Sequence, residues 1–418
     1  MHILMVSPEA EGVGIAHRLV QEGHKVDLWI KDQRYKNTLR NIVNRPAAWR
    51  PLLPIVDLVI FDTVGWSHLK PLLGKLGKPC LVCNGLADMI ELDRQKGMET
   101  LTGVGIQVPP YEIFQNPDEA KTLLKRWRGP GYVIKPFNNE DVGKTYLCSD
   151  PAIYEWALST YSTSSKLLVQ ELIKNAIEIS TEGWYNGAGW ITPFNHTFEE
   201  KPLMSGGIGK LTGCMGNVVK TVEKPNKLIE STLFKIESFL KNFSYRGPID
   251  INCLVTKDEL MALEFTCRFG YDAIEALMEG LKEPVGSMLF DVASGTKKQM
   301  DITQDLMIAV RVSKDPYPFA YPADIKEPDA GMPLVGINEK NLKHIFLTDV
   351  YLTADGYKYA AGDGVLYKAT ARGRDVKEAR QRVYTTISNI HGLDLQWRND
   401  IGLRFEQEWN TLHNWGWV

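Results

Sequence analysis

One stretch limits what this chain can fold into more than any other: residues 246–272, R-G-P-I-D-I-N-C-L-V-T-K-D-E-L-M-A-L-E-F-T-C-R-F-G-Y-D. Ile249, Ile251, Cys253 and Val255 alternate with Asp250, Asn252 and Leu254. Beyond a polar break at 256–259, Met261, Leu263 and Phe265 alternate with Ala262, Glu264, Thr266 and Arg268. Period-two alternation marks strands with one face in a core, and two such strands joined by a short polar turn make a hairpin. Asp250, Asn252, Glu264, Thr266 and Arg268 are then expected off the core. For them to share one side of a sheet, facing residues must have numbers with an even sum. That requires an odd-membered loop or a bulge near 257–259. Oxygen donors on neighbouring strands suit Mg²⁺, which takes one or two carboxylates alongside phosphate and water. Arg268 adds a planar donor for phosphate or carboxylate. A solvated outer face with ordinary surface charges would show the same parity.

A chain of 418 residues exceeds one compact core, so about two to four domains are expected. Charged residues at 24% and apolar residues at 44% are those of an ordinary globular protein. A net charge of −3 offers no basic footprint for direct nucleic-acid binding. No apolar run reaches the length of a membrane span. The opening M-H-I-L-M-V has no leader-peptide pattern and reads as a first strand. Six cysteines are scattered, and only Cys80 and Cys83 form a C-x-x-C. No second pair follows, so neither zinc nor redox chemistry is expected there. A reducing cytoplasm is the expected setting.

Taken in order, residues 2–6 form an apolar strand, 15–22 a helix, and 25–30, 57–62 and 78–83 further strands. This alternation predicts a parallel-sheet domain over 1–103. Its first loop, P-E-A-E-G-V-G, lacks a full dinucleotide fingerprint. Residues 88–101 read as a helix. Residues 132–136, Y-V-I-K-P, form a strand carrying Lys135, and G-K-T at 143–145 lacks the earlier glycine of a P-loop. Residues 167–171 form another strand. Residues 199–216 hold five glycines and a proline, which predicts a loop lined by backbone. Residues 225–242 form an amphipathic helix, 301–312 a strand, and 314–322 a proline-rich crossing. A smaller third domain is expected from 321 onward, with strands at 345–351 and 364–371 and a helix at 375–391.

The segment L-E-F-T-C-R-F-G at 263–270 closely resembles L-E-F-N-x-R-F-G of the phosphoribosylamine–glycine ligase family, within the ATP-grasp superfamily. W-R-N-D-I-G-L-R at 397–404 resembles that family's Y-R-x-D-I-G-x-R. The resemblance implies a mixed α/β and α+β multidomain fold. Its parts are a parallel-sheet, acceptor-binding domain (1–103), central ATP-grasp domains (104–320) with a lid at about 125–190, and a small C-terminal α+β domain (321–418). It implies ATP with Mg²⁺ or Mn²⁺. Glu264, Thr266 (where asparagine is usual) and Asp250 would hold the metal. Lys135, Lys144 and Lys201 would meet ATP, with backbone at Glu171 and Leu172 on adenine and Glu178 on ribose. Thr212, Gly213, Met215, Gly216 and Arg268 would shape the amino-acid side. Gly12 and Gly14 would offer N–H groups to the acceptor, and Arg268 and Lys144 would be catalytic. The first domain departs from the family: S-P-E-A-E-G-V-G stands for G-x-G-G-R-E-H, and D-T-V-G-W for G-P-E.

Three functions stay open at this point. One is an ADP-forming ligase that joins an amino acid, glycine in the family, to a different amine in nucleotide or modified-base metabolism. Another is the family reaction of purine biosynthesis itself. The third is a non-catalytic ATP-binding protein. Small molecules are the expected partners, with no membrane or nucleic acid, in a monomer or homodimer.

Overall fold

The computed structural model describes residues 1–127, 129–137, 144–319 and 328–418. Its first unit is a four-stranded parallel sheet in the order Lys25–Ile30, His2–Ser7, Leu58–Phe61, Cys80–Leu81. Ile3, Leu4, Met5 and Val6 are all fully buried, which is why the opening strand reads as an unbroken apolar run. The last strand is shorter than its apolar stretch. Pro79 has no N–H to donate, and Val82 turns into the left-handed region at φ 56°.

The helix expected at 88–101 is two helices, Gly85–Leu92 and Arg94–Gly103. Asp93 leaves helical geometry between them, and its carboxylate accepts the Lys96 N–H at 3.1 Å as an N-cap. The corner is tight: a Cβ on Gly97 would lie 2.5 Å from the Ile90 carbonyl oxygen. A similar break splits 225–242 at Thr232 into Lys227–Ser231 and Leu233–Asn242, and the Thr232 hydroxyl donates to the Leu228 carbonyl at 2.6 Å.

Strands Tyr111–Phe114, Leu167–Glu171, Tyr132–Pro136 and Tyr146–Cys148 form a separate antiparallel sheet in that order. It has its own core around Phe114, Leu123, Tyr132, Tyr154 and Val169. This sheet spans 111–171, whereas Ile177–Asn186, within the 125–190 stretch expected as a lid, pairs into the central sheet.

That central sheet runs Leu260–Thr266, Arg246–Val255, Ile177–Asn186, Trp190–Glu199, Gly216–Val222, Leu306–Lys314, Val365–Gly373, Ile345–Leu347, with Leu395–Gln396 beside Leu306–Lys314. Three strands of the C-terminal region thus belong to the central sheet. That region adds a three-stranded sheet of Pro333–Leu334, Gly356–Tyr359 and Val350–Thr353, and the helix Val376–Ser388. The glycine-rich stretch 199–216 is partly regular: Pro202–Met204 pairs with Ile208–Leu211 as an exposed hairpin. No helix among the described residues is long and apolar enough to cross a membrane.

Candidate active site

The hairpin at 246–266 exists, with even-sum pairing at Asp250–Thr266 and Asn252–Glu264. The bulge is at Leu263, not near 257–259, since Cys253 pairs with Ala262. Parity reverses there. Ala262 and Leu260 enter the core, while Met261 and Leu263 do not. The bulge also leaves Asn252, Glu264 and Thr266 on one face, which opens into a cleft of about 330 Å³ beside the 111–171 sheet.

Lys135, Phe137, Leu168 and Gln170 line the cleft from the 111–171 sheet. Leu263, Glu264, Thr266 and Arg268 line it from the hairpin, and Glu91, Arg94 and Met98 from the helix corner. Arg94 donates to Glu264 at 3.1 Å. Burial disfavours the Glu264 carboxylate, but Lys135, Arg94 and Lys201 outweigh it and hold the group down to about 2. It is ionised across the physiological range, with 43% of its side chain open to the cleft. Burial lowers the Lys135 ammonium, partly offset by Glu264. Lys201 lies 2.5 Å from Glu178 and 3.7 Å from Glu199. Asn252 also donates to Glu178, at 3.1 Å.

Arg268 closes the inner end. Its guanidinium donates to Glu91 at 2.8 Å, lies 3.5 Å from Glu11, and stacks 4.5 Å over the Tyr271 ring. Tyr271 in turn donates to Glu11 at 2.5 Å and lines a second cavity of about 210 Å³. Arg268 and Tyr271 therefore stand between the two spaces.

Several expected site residues are placed elsewhere. Lys144 donates to the Thr160 carbonyl at 3.0 Å, at the C-terminus of helix Pro151–Ser159, where the helix dipole favours a cation. Its neighbour Gly143 and the loop at 138–142 lie outside the described residues. The Glu171 and Leu172 N–H groups are donated to Pro110 and Gly131, so neither offers a backbone donor to a base. Asp250 is buried between Glu182 and Thr266. Burial first, then Glu199 and Glu182, drives its carboxyl well above the carboxylate range. Gly12 gives its N–H to Asp62 at 3.0 Å. Gly14 lies inside the helix Val13–Gln21, where a Cβ would meet Glu275 and Phe346 at 3.1 Å, so both glycines serve packing. Met215 and Gly216 are buried at the sheet margin. Met215 donates to Glu200 and accepts from Arg311, and a Gly216 Cβ would lie 2.6 Å from the Ala309 oxygen. Thr212 donates to the Lys201 carbonyl at 2.8 Å, and Gly213 packs against the Tyr271 ring.

The structure also brings in residues that periodicity does not flag. Glu91 and Arg94 reach the site through the corner at Asp93. Gln170 lines the cleft with a buried side-chain nitrogen that has no hydrogen-bond partner among the described residues. Asn252, opposite Glu264, has a buried Oδ1 in the same condition. An orphaned carbonyl oxygen facing an ionised carboxylate, with a hydroxyl two residues on, is a donor set that fits Mg²⁺ or Mn²⁺.

No protein-family model matches the chain. Among curated proteins it is similar to phosphoribosylamine–glycine ligases. With that of Streptomyces coelicolor it shares 23% identity over 341 residues, 78% of this chain and 79% of the relative. With that of Rhizobium meliloti it shares 25% over 328 residues, 75% of each. Among solved structures, the phosphoribosylamine–glycine ligase of Thermotoga maritima superposes with a TM-score of 0.72 at 19% identity, over 96% of this chain and all of that one. A biotin carboxylase from Campylobacter jejuni superposes with a TM-score of 0.63 at 13% identity, over 99% and 96%. The fold is that of the ATP-grasp proteins.

Proposed function

We propose that this chain, an ATP-grasp protein related to the phosphoribosylamine–glycine ligases, is an ATP-dependent, ADP-forming ligase that joins an amino acid to an amine. The observation that carries this reading is the junction of two spaces at Arg268: a cleft with Lys135, Glu264 and Gln170, and a cavity behind Tyr271. A reaction with two successive attacks needs such a junction.

ATP lies in the cleft in this reading, its phosphates toward Lys135 and Arg94 and its base or ribose within reach of Gln170. Glu264, Asn252 and Thr266 would hold Mg²⁺, which supplies charge neutralisation to the phosphates. The amino-acid carboxylate, drawn to Arg268, attacks the γ-phosphorus and gives an acyl phosphate and ADP. An amine entering past Tyr271 then attacks the acyl carbon and releases phosphate. Side chains here do no covalent work; they position reactants and offset charge. Glycine is the amino acid we propose, from the names of the relatives.

The test is to supply glycine, ATP, Mg²⁺ and hydroxylamine, which intercepts an acyl phosphate whatever the natural amine. Glycine-dependent hydroxamate and ADP are expected. ATP binding with neither ADP release nor hydroxamate for any amino acid would leave a non-catalytic ATP-binding protein. Phosphoribosylamine is a second reading for the acceptor, favoured by the similarity across about four fifths of the relatives' length. Formation of glycinamide ribonucleotide at ~1 s⁻¹ or faster would establish it.

A further inference from the structure

We propose that the side-chain amide of Gln170 holds the adenine of ATP, donating to a ring nitrogen and accepting from the 6-amino group beside it. This rests on the ligase reading above, which lays ATP in the cleft.

Alternation along the strand Leu167–Glu171 aims the residue. Leu167 and Val169 enter the core of the 111–171 sheet, where Tyr132 and Ile134 join them from the next strand. Leu168 and Gln170 point the other way, into the cleft, as Lys135 does. Lys135 pairs with Leu168, and Val133 with Gln170. Gln170 therefore stands one diagonal step from Lys135, about 7–8 Å across the sheet. A nucleotide that sets a phosphate at Lys135 reaches about that far across its ribose to its base.

Gln170 is only 1% exposed, in a strand paired on both sides, through Tyr111 and Val133. Its amide is left over. Nε2 is buried without a hydrogen-bond partner, and no hydrogen bond reaches Oε1 either, among the described residues. Buried side-chain amides are ordinarily bonded, so this one lacks a partner that a ligand in the cleft can supply.

That partner must both accept and donate, because an amide does both. Phosphate and carboxylate oxygens only accept, and they would face Oε1 with like partial charge. An ammonium only donates. Adenine carries an amino donor beside a ring-nitrogen acceptor, and a glutamine amide meets such an edge with two bonds. Ile90, Met98, Leu168 and Leu263 give the same cleft apolar surface for the faces of a ring. The neighbouring backbone offers no donor instead, since the N–H groups of Glu171 and Leu172 are already donated to Pro110 and Gly131.

An unbonded buried amide destabilises the free protein, and the base relieves it on binding. Gln170→Met is unbranched like glutamine and lacks the orphaned donor. Without nucleotide it should melt no lower than the parent, while ATP should raise its melting temperature less.

Calorimetry on the full chain with Mg²⁺ tests this without turnover, comparing ATP with purine riboside triphosphate, which lacks only the 6-amino group. The parent should bind ATP at least fivefold more tightly. Gln170→Met should weaken ATP tenfold or more and hold the two nucleotides alike. Gln170→Glu keeps the shape and loses the N–H donors. It should also weaken ATP tenfold, and it decides the matter if Gln170→Met misfolds. ATP bound by either folded variant as tightly as by the parent would overturn the proposal. So would a Gln170→Met that weakens both nucleotides by one factor, since the amide would then meet ribose or phosphate. Glycine-dependent hydroxamate from the parent beside such a result would leave the ligase reading standing. The expected binding pattern without hydroxamate would do the reverse. A parent that binds no ATP would overturn both.

Discussion

At the scale of single residues, two carboxylates on strands of the same sheet behave oppositely because of what surrounds them. Glu264 faces Lys135, Arg94 and Lys201 and stays ionised. Its replacement by glutamine keeps the shape and removes the charge, so Glu264→Gln should lower ADP release at least 100-fold with an unchanged melting temperature. Turnover within a few-fold of the parent would remove Glu264 from the metal site. Glu182 has no such cations. Burial pushes it up to about 7, although Trp184 donates to it at 2.9 Å. The folded chain therefore keeps this proton between the ordinary carboxylate range and about 7, while the unfolded chain loses it. Stability from this site thus falls as pH rises through that window. Glu182→Gln should melt higher than the parent at pH 8 and equal to it near pH 5, and a gain independent of pH would contradict this account. Alternation alone placed Glu264 on the outer face. Nothing in the residue string separates the two protonation states, because the cations that keep Glu264 ionised come from three distant segments.

At the scale of elements, the helix corner at Asp93 decides whether the cleft has walls. Glu91 and Arg94 stand on either side of it and reach Arg268 and Glu264. Gly97 allows the two helices to close up, and a methyl there would strike the Ile90 carbonyl, a backbone atom with little room to yield. Gly97→Ala should lower the melting temperature and raise the ATP concentration needed for half-maximal rate several-fold. Gly103→Ala, with no atom within 4 Å of the added carbon, is the matched control and should change neither. An unaltered ATP requirement in Gly97→Ala would show that the corner is not what positions Arg94. The period of the apolar residues suggests one continuous helix here. The N-cap aspartate and the glycine were both visible in the sequence, but a close helix–helix contact is what gives them meaning.

At the scale of the whole molecule, the strand Leu306–Lys314 is buried along its entire length, between Gly216–Val222 on one side and Val365–Gly373 on the other. The C-terminal region is therefore part of the central sheet's construction. A chain ended after Phe319 should be insoluble or rapidly degraded in limited proteolysis, because it exposes a long apolar strand edge. A soluble, protease-resistant product would show that the C-terminal region is dispensable. What the sequence alone determined is whatever depends on neighbours along the chain. It set the strands by their alternation, the parallel first domain by its strand–helix rhythm, and the ATP-grasp resemblance by L-E-F-T-C-R-F-G. Only the tertiary structure decided the rest. It put the bulge at Leu263 instead of in the turn, turned Lys144 onto a helix end, and used the N–H of Gly12 on Asp62. It also brought Gln170, Lys135 and Glu264 around one cleft. Backbone propensity acts over a few residues, whereas a site's charge balance and its unpaired donors depend on groups up to hundreds of positions apart, and those meet only when the sheets pack.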